Sequence, residues 1–449
     1  MESGQLYDKE KYNFLHEVKN LKRIKKNKKY KYIIIITLVF IIIFFLYKIF
    51  RLALANQEKN KNKVNPINSE LIYKYNNKYD ILMKPEIELP ENDYLKEMED
   101  FIYIIANEAL INSKEKFYKS ENPKISIVIS VYNGEGLLKA GLRSVQNQDF
   151  LDIEIVIVDD GSKDNSVSLI KELMEEDPRI ILLENKINKG ILYTKAIGVL
   201  NAKGKYVMTL DVDDVYSSRY AFSTLFYEAE KNNLDILGFA SMGGGNNIHE
   251  EENYKYHYYE TPVIFQPKVT EKIYLYQNND EIIRTGLVIW NYFFRTDIFI
   301  KSINQIDKKY MDTNLPFNDD LIFFFLLTRN AKNLKQMKRV FYYHLKRNIT
   351  EPTIAFRYKI KEENRTNKLC FSNVVFVEFL LSKTNSTNYD KKIASYELKN
   401  TLINNNECKY NQKHRDEIIN LCKLFLENQY IEEKTKNEIN SYLNELKSK

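Results

Sequence analysis

The 449-residue chain predicts an α/β fold, a Rossmann-like and mostly parallel sheet with helices on both faces. Three observations point to it. Short β-branched runs alternate with helix-like stretches from residue 123 to about 240. Those runs are continuously apolar, as strands covered on both faces must be. Acidic and polar clusters follow the runs, at the strand ends where open α/β sheets bind ligands.

The elements follow in chain order. Residues 1–31 form a basic tail in which Lys22, Arg23, Lys25, Lys26, Lys28, Lys29 and Lys31 crowd together. Residues 32–50 are apolar apart from Thr37 and Lys48; as a helix they reach roughly 28 Å, about a bilayer core. The denser basic block belongs on the cytoplasmic side. This predicts a single-pass type II membrane protein, its bulk in the lumen or exterior (the Golgi or endoplasmic reticulum lumen if the chain is eukaryotic). Residues 51–122 read as a polar stem with a helix near 94–119, where Leu95, Met98, Ile102, Ile105 and Ala109 recur at three and four residues. Two heptads suit a helix packed on its own domain better than a coiled coil, with a homodimer seam as the alternative.

Pro123 opens the α/β domain, residues 123–345 with its core at 124–240. "ISIVISV" (125–131), "IEIVIV" (153–158), "IILL" (180–183), "YVMTL" (206–210) and "LDILGF" (234–239) read as strands, with helices near 135–147, 163–176, 190–202 and 219–231. The "MGGGNN" run predicts a flexible turn, and regular texture returns at 287–299 and 317–332. Residues 346–449 have helical apolar spacing and no recognisable chemistry. Charge excludes one partner class: 67 basic against 61 acidic residues leave +6, concentrated near the anchor, which is no nucleic-acid footprint. The three cysteines, Cys370, Cys408 and Cys422, make neither a CxxC pair nor a disulfide-dense frame.

The chemistry gathers at "YVMTLDVDDVY" (206–216), where an apolar run ends in Asp211, Asp213 and Asp214. Carboxylates this close need a positive partner. At i and i+2 on a strand end, Asp211 and Asp213 point the same way and suit one hard cation, Mg²⁺ or Mn²⁺, that also carries a diphosphate. Asp214 suits a cap on the next helix. In "VIVDDGSKDNS" (156–166), Ser162 and Asp164 suit helix capping, whereas Asp159 and Asp160 exceed what a cap needs, and one of them suits a nucleobase or ribose. Trp290 and its aromatic neighbours read as core or as a platform for an acceptor sugar.

The stretches "SIVISVYNGEGLLKAGLRSVQNQ", "IVIVDDGSKDNS" and "NKGILYTKAIGVLNAKGKYVMTLDVDD", in this order, resemble the family 2 glycosyltransferases of the GT-A fold. Coverage is good over 124–240 and weaker to 345. The resemblance implies an inverting transfer of sugar from a nucleotide-diphosphate sugar donor to a glycan, lipid-linked or protein acceptor, with Mg²⁺ or Mn²⁺. It implies a nucleotide pocket lined by Tyr132, Glu135, Asp159 and Asp160, with Lys195 on the diphosphate in place of the usual arginine. Asp211 falls nearer the ribose and Asp213 on the metal. In Asn318-Asp319-Asp320, Asp320 falls on the catalytic base. Ala196 and Tyr292 depart from the family pattern, and His344 falls within reach of the diphosphate. Two other readings stay open: a phosphohydrolase of the haloacid-dehalogenase type using "LDVDDV", and an inactive membrane-tethered sugar-binding homologue.

Overall fold

The computed structural model describes residues 91–106, 110–111, 117–244, 288–315, 317–345, 362–383, 393, 395–400, 408, 414–427 and 433–448, with short strands at 257–259, 265–266, 275–278 and 281–284. All belong to one structural unit, residues 67–449. The expected span at 32–50, the basic tail and most of the stem lie outside the described residues. Among the described residues no helix is long and apolar enough to cross a membrane.

Helix α1 (Glu91–Ala106) leads into β1 (Ile125–Val131), α2 (Leu138–Gln146), β2 (Ile153–Asp159), α3 (Ser166–Glu176), β3 (Ile180–Glu184), α4 (Ile191–Leu200) and β4 (Tyr206–Asp211). Then come β5 (Val215–Tyr216), α5 (Ala221–Asn232), β6 (Ile236–Gly244), β7 (His257–Tyr259), β8 (Phe265–Gln266), β9 (Leu275–Asn278), β10 (Glu281–Arg284) and β11 (Tyr292–Arg295). The chain continues through α6 (Thr296–Ile303), α7 (Lys308–Met311), α8 (Asp319–Asn330) and β12 (Leu334–Leu345), and ends in α9 (Glu362–Lys383), α10 (Arg415–Glu427) and α11 (Glu433–Ser448).

The main sheet runs β3-β2-β1-β4-β11-β6-β12-β5. Its first four strands are parallel, as the βα alternation predicts. Beyond them β11 lies antiparallel between β4 and β6, so the sheet is mixed on that side. Strand order reverses at β1, with β2 and β3 on one side and β4 on the other; a crevice at the carboxyl ends of β1 and β4 follows from that reversal.

Both faces are covered. Ile125, Ile127 and Ile129 of β1 join Ile153, Ile155 and Ile157 of β2 in a core shared with α1, α2, α3 and α5. Val128, Val156 and Val158 face the other way, against Leu192, Ala196 and Val199 of α4 and an aromatic layer from α6, α8 and α9. A Cβ on Gly198 of α4 would stand 2.3 Å from Val128 Cγ1, so glycine there sets how closely the helix lies on the sheet.

Two expectations change. Helix α1 ends at Ala106, and its residues Met98, Ile102 and Ile105 are buried in the domain's own core, which occupies the seam a homodimer would use. The first part of the predicted turn is strand: β6 continues to Gly244 because β12, a hundred residues on, pairs with it there (His344 with Gly243, Leu345 with Gly244), and 245–247 lie outside the described residues. The C-terminal region is helical as expected and holds its own core around Val377, Leu421, Phe425 and Leu443. Within it Cys370 and Cys408 form a disulfide, a pairing 38 residues apart that the spacing did not reveal.

Candidate active site

Two elements bring carboxylates, and a third brings a lysine, to one place at the carboxyl end of the sheet. Strand β4 ends at Asp211, and the next residues turn back, Asp214 N donating to Asp211 O at 3.0 Å. Helix α8 begins with Asp319 and Asp320, at the positive end of its dipole. From α4, Lys195 extends between them: its Nζ lies 3.0 Å from Asp319 Oδ2, 3.0 Å from Asp320 Oδ1 and 3.5 Å from Asp211 Oδ1. Burial alone would lower the pKa of this lysine, but the three carboxylates outweigh it and hold it well above the usual value. Burial pushes Asp320 well up; Lys195 pulls it down, while Asp319 and Asp211 push it up again. Asp320 Oδ1 is engaged by Lys195, and among the described residues no hydrogen bond falls on Oδ2.

The other flank of the turn is built by β12. Asp214 is fully buried; Tyr342 donates to its Oδ2 at 2.8 Å, and His344 Nδ1 lies 3.0 Å from Oδ2 and 3.1 Å from Oδ1. Burial raises Asp214 to about 6 against the pull of His344. Burial also works to lower His344, but its hydrogen bond to Asp214 and the charges of Asp214, Asp213 and Asp211 raise it to about 9. Trp290 stacks on both Tyr342 (centroids 4.3 Å apart) and His344 (5.7 Å) and walls this side.

Asp213 sits between the two flanks, half-buried, with no hydrogen bond or ion pair among the described residues. Those residues hold no group of three or more His, Cys, Asp or Glu side chains shaped for a metal. Two carboxylates suffice for a Mg²⁺ or Mn²⁺ whose shell is completed by water and phosphate oxygens. Asp213, with Asp211 beside it, fits that donor set.

The comparisons with known proteins agree on what this site belongs to. Residues 126–290 match the family model described as Glycosyl transferase family 2. The chain carries a glycosyl transferase family 2 domain. It is 28% identical over 221 residues to the uncharacterized glycosyltransferase EpsJ of Bacillus subtilis, covering 49% of this chain and 60% of that one. It is 34% identical over 130 residues to the GalNAc(5)-diNAcBac-PP-undecaprenol beta-1,3-glucosyltransferase of Campylobacter jejuni, covering 29% and 42%. The chain thus spans less than two thirds of the curated relatives it matches. The fold resembles residues 1–349 of S. aureus TarS in complex with UDP-GlcNAc, with a TM-score of 0.51, 18% identity, and 72% and 91% of the two chains covered. That likeness establishes a GT-A fold.

Within the glycosyltransferase domain the expected residues divide. Lys195, Asp211 and Asp320 come together as one cluster with Asp319. Lys195, however, is 3% exposed and neutralised by three carboxylates, so its charge is not available to a diphosphate. Asp213 is not on the strand: β4 ends at Asp211 because the chain turns there, and the turn rather than the i, i+2 alternation places the second carboxylate. Asp214 caps no helix; α5 begins seven residues later, after β5, and Asp214 serves Tyr342 and His344 instead.

The loops after β1 and β2 carry the remaining four. Asp160 accepts from Asn185 Nδ2 (2.9 Å) and from the amides of Lys189 and Gly190 (2.8 and 2.9 Å), so both its oxygens hold the turn that opens α4. Asp159 Oδ2 takes the amides of Gly161 and Ser162, while Oδ1 is buried with no partner. Glu135 is exposed and clasps Asn165, its amide bound to Asp164. Tyr132, 36% exposed, lies just beyond β1 at the same end of the sheet. Ser162 does not cap a helix but accepts the Asn133 amide; Asp164 does bind the first-turn amide of Ser166. Tyr292 is core, packed on Phe294 and Phe324. Sequence reasoning missed Tyr342, which nothing but its place two residues before His344 distinguishes, and the C-terminal partners of Asn318 described below.

Proposed function

We propose that the protein is a membrane-anchored inverting glycosyltransferase that moves a sugar from a nucleotide-diphosphate donor to a hydroxyl of a glycan, lipid-linked or protein acceptor, assisted by Mg²⁺ or Mn²⁺. The observation that carries this reading is the convergence of Asp211, Asp319 and Asp320 on one buried lysine beside Asp213, at the sheet's switch point, with Lys195, Asp211 and Asp213 inside the stretch that matches the family 2 model.

The chain's residues divide the work as follows. Asp213, with Asp211, holds the cation, which when bound offsets charge on the departing diphosphate. One of Asp159 and Asp160, at the end of β2, accepts a hydrogen bond from the base or the ribose. Asp320 Oδ2 takes the proton of the acceptor hydroxyl as that oxygen bonds to the anomeric carbon; the bond from that carbon to the diphosphate breaks on the opposite face. Lys195 pulls Asp320 toward its ionised form against the larger effect of burial and holds its Oδ1, which orients the other oxygen. The apolar stretch at 32–50 anchors the chain with its basic tail in the cytoplasm.

The test uses full-length protein in detergent. UDP, present with GlcNAc in the TarS complex, is the first nucleotide to try. Binding that requires Mn²⁺, and release of the diphosphate from its sugar, support the reading. Asp320→Asn should bind donor as the parent does and lose at least about a hundredfold in transfer. Phosphate release from simple phosphoesters, abolished by Asp211→Asn, would instead favour the phosphohydrolase.

A further inference from the structure

The C-terminal helices carry no chemistry of their own, yet α9 reaches the turn that presents the catalytic carboxylates. Two of its residues, Ser372 and Asn373, are 0% and 3% exposed. The amide of Phe317 donates to Ser372 Oγ at 3.2 Å, and Asn318 Nδ2 donates to Asn373 Oδ1 at 2.7 Å. These contacts fall on the two residues immediately before Asp319 and Asp320.

Asn318 needs such support. Its φ of 65° lies in the left-handed region, which disfavours residues other than glycine. It is the N-cap of α8 but makes no side-chain capping bond. Its side chain reaches out of the helix to α9 instead. The receiving groups are fixed in turn: Ser372 Oγ donates to Lys368 O at 3.0 Å, and Asn373 Nδ2 faces Cys408 Sγ at 4.0 Å, which directs Oδ1 toward Asn318. Phe376, Phe379 and Leu380 of α9 already supply apolar docking onto the layer that contains α8. Buried polar groups add specificity of register only when they are paired, and here they are paired to one turn.

We propose that Ser372 and Asn373 are positioning residues for the reaction: through Phe317 and Asn318 the C-terminal region sets where Asp319 and Asp320 stand. This rests on the reading of Asp320 as the base. Lys195 holds the two carboxylates from the sheet side, and α9 fixes the backbone that bears them.

The test compares Ser372→Ala, Asn373→Ala and Asn318→Ala, and the double variant of the two asparagines, in the full-length protein. Each of the first two lowers kcat by about ten- to a hundredfold with donor KM within about twofold, the pattern of misplaced catalytic groups on an intact donor site. The Asn318/Asn373 double variant loses no more than Asn318→Ala, because both substitutions remove one hydrogen bond. Amides at 318–322 exchange faster in both α9 variants. Lys309→Ala, which breaks an exposed ion pair to Glu378 of the same helix, leaves kcat unchanged. Unchanged kcat in the α9 variants, a loss that merely follows their folded fraction, or additive losses in the double variant overturns the proposal. If the parent transfers no sugar, the assignment of Asp320 fails, and the exchange measurement still decides: unchanged protection at 318–322 overturns the role of α9.

Discussion

Replacing Lys195 by methionine keeps most of the side chain's volume and removes the one cation among Asp211, Asp319 and Asp320. The lysine side chain is 4% exposed and its contacts are 3.0, 3.0 and 3.5 Å long. At an effective dielectric of about 20, each contributes about 5 kcal/mol of Coulomb attraction. That gross sum is opposed by desolvation of the ammonium and by repulsion among the carboxylates. Removing only the cation should therefore cost about 3–5 kcal/mol near pH 8. The direction with pH follows from proton binding. Asp320 already has a folded pKa above its unfolded value, chiefly from burial, and loses the lowering pull of Lys195 in the variant. A carboxyl raised on folding binds protons in the native state, so its penalty is full above the folded pKa and relieved as pH falls toward about 4. In the parent, the raised Lys195 pKa keeps the ammonium's contribution intact at both pH values. The variant's deficit should thus shrink from pH 8 to pH 5. Urea unfolding followed by the fluorescence of Trp290, the chain's single tryptophan, measures both. A deficit below about 1 kcal/mol at pH 8, the size of a surface pair, or one of equal size at both pH values, refutes the reasoning.

Three further outcomes are expected. Asp213→Ala should abolish Mn²⁺-dependent binding of nucleotide diphosphate while leaving the unfolding midpoint unchanged, since the carboxylate makes no bond among the described residues; calorimetric titration with and without the metal checks the binding and urea unfolding the midpoint. His344→Gln should cost about 1 kcal/mol below pH 6.5, a small figure because the imidazole is 38% exposed and solvent screens the pair. That contribution disappears as pH rises through about 9, so parent and variant should unfold alike at pH 10. Gly198→Ala should lose about 1–3 kcal/mol in the same urea assay, because the new methyl overlaps Val128 and either α4 or the sheet must shift.

The domain's first half was legible because its signals are local. Each of β1 to β4 lies within a residue of its apolar run, and burial on both faces explains why those runs do not alternate. What the sequence hid depends on distant partners. The Met242-Gly243-Gly244 stretch reads as part of a turn until β12 supplies its hydrogen bonds. Asp160 reads as a ligand-binding group until Asn185 and the 189–190 amides claim its oxygens. Lys195 reads as a free cation because Asp319 lies 124 residues away, beyond any spacing rule. Asp320, by contrast, was singled out from the motif, and the fold brings it to the same lysine as Asp211; its role as base remains a proposal.

The balance of charge at this site bears on the proposed metal. Among the described residues, five carboxyl groups (Asp211, Asp213, Asp214, Asp319 and Asp320) meet two cations, Lys195 and His344. Each cation is bound to carboxylates that the fold uses internally. Among the described residues, an approaching diphosphate therefore meets a cluster that is net negative, with no free positive group beside Asp213. A divalent ion at Asp213 reverses that sign locally and gives the diphosphate oxygens a partner. On this physical ground donor affinity should depend on the ion steeply, whereas a site whose lysine faced the diphosphate would retain binding without it. A donor that binds equally well in excess chelator would show that a positive side chain, rather than a divalent ion, turns toward the phosphates.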